Sequence, residues 1–130
     1  MAELKAGLVF EREHIVAKED TAARWGSGGL EVYGTPSLVG FLELTAQAGL
    51  LPYLEAGQST VGVQVNIRHL AATPVGMKLH SRAELLAVEG RRLTFRVQAW
   101  DEVELISEGE HVRFIIDVPK FLDRVGKKGK

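Results

Sequence analysis

The chain has 130 residues, 45% hydrophobic and 25% charged, with 16 Lys and Arg against 17 Asp and Glu for a net charge of -1. That balance suits one ordinary globular core and gives no strong field for nucleic acid or an anionic membrane surface, so partners must be recognised locally. The chain has no cysteine, which excludes disulfides, thiolate nucleophiles and Cys-based zinc or iron-sulfur sites together.

The opening "MAELKAGLVF" carries charges where a secretory signal needs an apolar core, and no later apolar run approaches the roughly 18 residues of a membrane span. A cytoplasmic protein with one domain over residues 1–130 is expected, ending in a basic tail that frays from about residue 126. Residues 7–16, "GLVFEREHIV", can form a first strand, and "AKEDTAARWGSGGLEVYG" mixes a short helical turn with glycine-rich loop. From Pro36 to Leu54 the apolar residues are too dense and the run too long for a strand, and Leu38, Leu42, Thr45 and Gly49 recur at helical steps. Thr35 can cap this helix, Pro36 suits its first position, and Pro52 kinks or stops its last turn.

Four strands follow, at Ser59–Leu70, Met77–Val88, Arg92–Asp101 and Leu105–Asp117, joined by short connections that predict an antiparallel meander. In the first of these, Val61, Val63, Val65 and Ile67 alternate onto one face with His69 next in phase. "VPKFLDRVG" closes with a helical turn. The order predicts an α+β hotdog fold, an antiparallel sheet of about five strands wrapped around one long central helix. A cystatin-like sheet on a helix has the same pattern.

Glu43 is the only charged residue between Pro36 and Leu54, with no Lys or Arg three or four positions away. Buried, an unpaired carboxylate must raise its pKa or find a distant partner, and either suits acid-base chemistry. Alternatively, Glu43 and Gln47 mark a narrow solvent-facing stripe. At the helix start, Thr35 can be a plain cap, or the N–H groups of Ser37 and Leu38 can also polarise a carbonyl. The four histidines show no metal-ligand spacing, so no metal site is expected. His14 and His80 read as surface residues. His111 is open between solvent and a pocket, and His69 between a structural histidine at a core edge and a proton carrier.

"TPSLVGFLE" and "VGVQVNIRHLAATPVG", continuing through "RAELLAVEGRRLTFRVQAWDE" to "HVRFIID", resemble the fluoroacetyl-CoA thioesterase family of hotdog proteins from about Val32 to Asp117. The resemblance implies hydrolysis of an acyl-CoA thioester without metal or cofactor. It implies Thr35, Glu43 and His69 as the catalytic set, with Gly62 and Arg113 at the acyl end of the site. It also implies a homodimer with active sites near its interface, and leaves open whether dimers associate further. Where the fluoroacetyl specialist has an aromatic lid, this chain reads "RWGSGGLEVYG", so the resemblance gives the reaction class and not the acyl group. Two other hotdog readings compete: a hydratase or dehydratase, whose Asp and His pairing is not seen here, and a non-catalytic acyl-CoA binding protein.

Overall fold

The computed structural model describes residues 3–26 and 28–129. Its elements are β1 (Val9–Ile15), α1 (Thr35–Leu50), β2 (Gln58–His69), β3 (Lys78–Glu89), β4 (Arg92–Trp100), β5 (Leu105–Asp117) and α2 (Val118–Lys128), with short 3₁₀ turns at Lys18–Asp20 and Leu51–Tyr53. All strand pairs are antiparallel, in the order β1-β3-β4-β5-β2, and the sheet wraps α1 in the expected hotdog arrangement.

The core is where alternation in the strands meets helical spacing in α1. Leu79, Ala83 and Leu85 of β3 and Leu93, Phe95, Val97 and Ala99 of β4 are fully buried against Leu38, Leu42, Ala46 and Leu50 of α1. Thr45 sits among them without an orphan hydroxyl, bonding the Phe41 carbonyl and Ser81 Oγ. Gly49 is required by close approach, since a Cβ there would run into the Phe10 ring of β1. Pro52 falls in the 3₁₀ turn that ends α1, as its missing N–H predicts.

Three expectations change. The meander holds only for β3-β4-β5. β2 crosses over to pair with β5, and β1 takes the outer edge of β3, because residues 70–77 form a docked loop and not a hairpin turn. That loop is tied by Thr73 Oγ1 donating to Asp101 Oδ2 at 2.8 Å and by Tyr33 N–H donating to the Thr73 carbonyl at 2.8 Å. Next, the closing helical turn is a full helix, and residues 126–128 continue it where a frayed tail was expected. An Asp123–Lys127 pair at 3.3 Å and basic residues at the C-terminal end favour those last turns. Lys130 of that tail lies outside the described residues.

Finally, the valine phase of β2 is broken. The ladder slips between Gly62 and Gln64, so Gly62 lies opposite Arg113 while Val65 lies opposite His111 and His69 opposite Ser107. Gly62 and His69 are seven residues apart and in a regular strand would face opposite sides. The inserted residue lets both face α1 and sends Val61, opposite Phe114, to the other side.

Candidate active site

Gly34, in extended conformation, is the residue before the first turn of α1, and Thr35 is the first helical residue. A Cβ at Gly34 would press on the Ala22 backbone at 3.0 Å, so glycine lets the incoming chain lie against Ala22. The Thr35 side chain caps nothing. Its hydroxyl meets His69 Nδ1 at 2.8 Å, an approach that the docking of residues 70–77 onto Tyr33 imposes. Ser37 Oγ accepts from Trp25 Nε1 at 2.8 Å, and Leu38 N–H is occupied by the Gly34 carbonyl at 3.0 Å.

Thr35 and His69 line a pocket of about 360 Å³ with Tyr33, Leu30 and Ala71. The Nδ1 edge of His69 lies on the exposed side, while Nε2 is buried and has no hydrogen-bond partner among the described residues. Burial lowers the His69 pKa below 6.5, with the main chain at Ala71 pulling the other way. The imidazole is therefore held neutral, ready to accept a proton.

Glu43 projects from α1 two turns further on, and its partner is the distant cation that helix spacing could not supply. Arg113 Nη1 of β5 donates to Glu43 Oε2 at 3.4 Å. Arg113 is buried and its guanidinium is otherwise engaged: Nε donates to Thr60 Oγ1 at 2.8 Å, and Nη2 to the Thr60 carbonyl at 3.0 Å and Gln47 Oε1 at 3.1 Å. Thr60 in turn donates to Gln47. His111, buried and stacked on Phe95, donates from Nδ1 to the Gln64 carbonyl at 2.8 Å, so its Nε2 accepts from Arg113 Nη1 at 3.2 Å. Burial lowers the His111 pKa, Arg113 adds to that, and the Gln64 carbonyl and Glu43 oppose it. Gly62 roofs this group: a Cβ there would run into Glu43 Oε2.

Thr35 thus meets His69, and Glu43 meets Gly62 and Arg113, but the two groups are not united within one chain. Thr35 and Glu43 are separated by roughly 12 Å of helix axis, and His69 and Gly62 by roughly 23 Å of strand at about 3.3 Å per residue. Sequence reading left His111 open, gave Gln47 only a possible stripe with Glu43, and gave Thr60 no role. The signals were the shared phase of His111 with Arg113 and the helical step from Glu43 to Gln47. His80 is half-exposed beside Glu11 at 3.6 Å, whereas His14, expected at the surface, lies opposite core Leu79 and is half-buried, its ring against Phe41 of α1 and its Nε2 on Asp20 at 2.7 Å. Among the described residues no three His, Asp or Glu side chains gather in a metal-binding group.

The model of the fluoroacetyl-CoA-specific thioesterase family matches residues 16–119. The chain is 42% identical over 98 residues to the fluoroacetyl-CoA thioesterase of Streptantibioticus cattleyicolor, covering 75% of this chain and 70% of that protein. A crystal structure of the fluoroacetyl-CoA thioesterase FlK superposes with a TM-score of 0.93 at 34% identity, covering 98% of both chains. A thioesterase-superfamily protein of Thermus thermophilus superposes with a TM-score of 0.87 at 30% identity, covering 98% of this chain and 97% of that one.

Proposed function

Because the chain belongs to the fluoroacetyl-CoA-specific thioesterase family, a family of thioester hydrolases, we propose that it hydrolyses a short acyl-CoA thioester to the free acid and CoA. The observation that supports this reading best is the Thr35–His69 bond on the wall of a pocket, with a neutral imidazole behind it. Thioester hydrolysis needs a nucleophile, a proton carrier and donors for the oxyanion. Glu43 supplies the carboxylate, either as base for a water molecule or as the attacking group that forms an anhydride. Arg113 holds it in place. His69 carries the proton through Nδ1 and the Thr35 hydroxyl, which can accept and donate in turn, and delivers it to the departing CoA sulfur. Ser37 N–H, in the first turn of α1, is the oxyanion donor, because Leu38 N–H is already bonded.

The separation of the two groups calls for a second copy of the chain. β2 is an edge strand, with Val63 and Val65 exposed along it. Antiparallel pairing of two β2 edges sets the His69 end of one chain beside the Gly62 half of the other, and so brings Thr35 and His69 of one protomer to Glu43 of its partner. Each site is then built from both protomers of a homodimer.

The test is free-thiol release from short, branched, aromatic and halogenated acyl-CoAs by wild type, Glu43→Gln and His69→Ala. Loss of turnover in both variants supports the assignment, and unchanged turnover in both rejects it. A mixture of the two inactive variants separates the composite site from a single-chain one. Each mixed dimer regains one intact site, about half the activity of a wild-type dimer, only if the site draws on both chains.

A further inference from the structure

His69 lies directly opposite Ser107 in the β2–β5 ladder, and directly opposite residues share a face of the sheet. Ser107 also lies opposite Ala99, whose side chain is in the core, so the Ser107 side chain is on the helix side as well. Ser107 is fully buried. Its Oγ and His69 Nε2 are the two buried side-chain polar atoms without a hydrogen-bond partner among the described residues, and they belong to one cross-strand pair. Buried polar atoms are rarely left unmatched, and two in one pair point to a shared partner: each other after a small rotation, or one water molecule held between them. A hydroxyl suits either, since it both donates and accepts.

We propose that Ser107 is a positioning residue for His69, completing a line Thr35–His69–Ser107 in which Ser107 takes the Nε2 hydrogen and leaves Nδ1 as the basic edge facing Thr35. This rests on the catalytic reading of His69. It follows from which edge of the ring is open: Nδ1 meets the Thr35 hydroxyl at the pocket, and Nε2 is shut in against β5. With Ser107 as acceptor, the imidazole is fixed as the Nε2–H tautomer, the form able to draw a proton from Thr35. Without it, both neutral tautomers are populated and only one can act.

The experiment is long-range ¹H–¹⁵N spectroscopy of the full-length protein, with the His69 ring assigned by its loss in His69→Gln. Wild type is expected to show the Nε2–H pattern, Ser107→Ala a shift toward averaged tautomers, and Ser107→Thr, which keeps the hydroxyl, the wild-type pattern. With an acyl-CoA substrate, Ser107→Ala is expected to lower kcat about three- to tenfold with KM unchanged, the size of one hydrogen bond acting on the proton carrier. The proposal is overturned if Ser107→Ala leaves the His69 ¹⁵N pattern unchanged, whether because the Ala71 main chain alone holds Nε2 or because the hydroxyl is a plain orphan whose removal only raises Tm. The spectrum decides even if no acyl-CoA is turned over, so failure of the thioesterase reading and failure of this one are told apart.

Discussion

At the His69 end of β2 the polar atoms are few and one ring nitrogen has no partner among the described residues, whereas at the Gly62 end one guanidinium makes five hydrogen bonds, to Thr60 twice and to Gln47, His111 and Glu43. Both groups face the same helix. Thr35 and His69 each have room to change partner, which proton transfer requires. Arg113 does not, and it tethers the Glu43 carboxylate. Within the ion pair Glu43 is the more open partner, its side chain 36% exposed against 7% for Arg113, so solvent reaches the carboxylate more freely than the cation behind it.

The largest expected effect comes from removing the hub of the saturated group. Arg113→Met leaves Glu43, Gln47, Thr60 and His111 without their common donor, and breaking a buried pair in this way costs about 3–5 kcal/mol. Glu43 can turn partly to solvent, so the lower end applies, and a fall in Tm of about 10 °C is expected for a chain of this size. Thr35→Val, which removes only the exposed bond to His69, should leave Tm within about 2 °C. Equal melting losses in the two variants would erase the distinction between the regions.

Gly62→Ala tests whether the Glu43 position matters apart from stability. The added Cβ meets the far end of the Glu43 side chain first, with Arg113 Nη1 and His111 Cε1 at 3.3 Å behind it, so the carboxylate moves while the strand stays. A displacement of about 1 Å can cost around 10²-fold in rate. A drop of about 10- to 100-fold in kcat with near-normal melting is expected in thiol-release assays. Wild-type kcat would mean that Glu43 does not act where Arg113 holds it.

At the open end the effect is smaller. Thr35→Val deletes the hydroxyl that bonds His69 Nδ1, and a single hydrogen bond of about 0.5–1.5 kcal/mol corresponds to a loss of up to about tenfold in kcat. Thr35→Ser keeps the hydroxyl and should retain most of the rate. If valine and serine behave alike, the hydroxyl has no part in the proton path.

The helix, the strands and the face of β4 that meets the core were legible because each rests on a local period: Leu38 and Leu42 at helical steps, Leu93 to Ala99 at alternate positions. Glu43 was legible as a charge without a local partner. What the sequence hid was non-local. The slip after Gly62 leaves no mark in a run of valines, yet it decides which side Gly62 and His69 face. The crossover of β2 to β5 set Arg113 beside Glu43, 70 residues away in sequence. Thr35 reads as a cap in any Thr-Pro helix start, and only the docked loop at 70–77 turns its hydroxyl to His69.

The smallest effect is one of pH, and it separates the two regions by share. Both His69 and His111 have folded-state pKa values below the ordinary 6.5, each chiefly through burial. The unfolded chain therefore binds more protons than the folded one once pH falls below about 6.5, so the stability tied to the neutral rings is complete above that value and is lost as pH falls through the lowered folded-state values. Each histidine can contribute at most about 1.4 kcal/mol per pH unit to this loss. The larger share is expected from His111, because its Nδ1 hydrogen is committed to Gln64 and a second proton on Nε2 would face Arg113 Nη1 at 3.2 Å. His69 can take its second proton on Nδ1 and still keep Thr35 Oγ1 as an acceptor. In melts from pH 8 to pH 5, wild type should hold its Tm down to about 6.5 and then fall. His69→Ala should fall nearly in parallel with wild type, and His111→Gln should fall distinctly less from its own lower starting point. The reverse ranking would place the strained imidazole at the open end and the tolerant one in the saturated network.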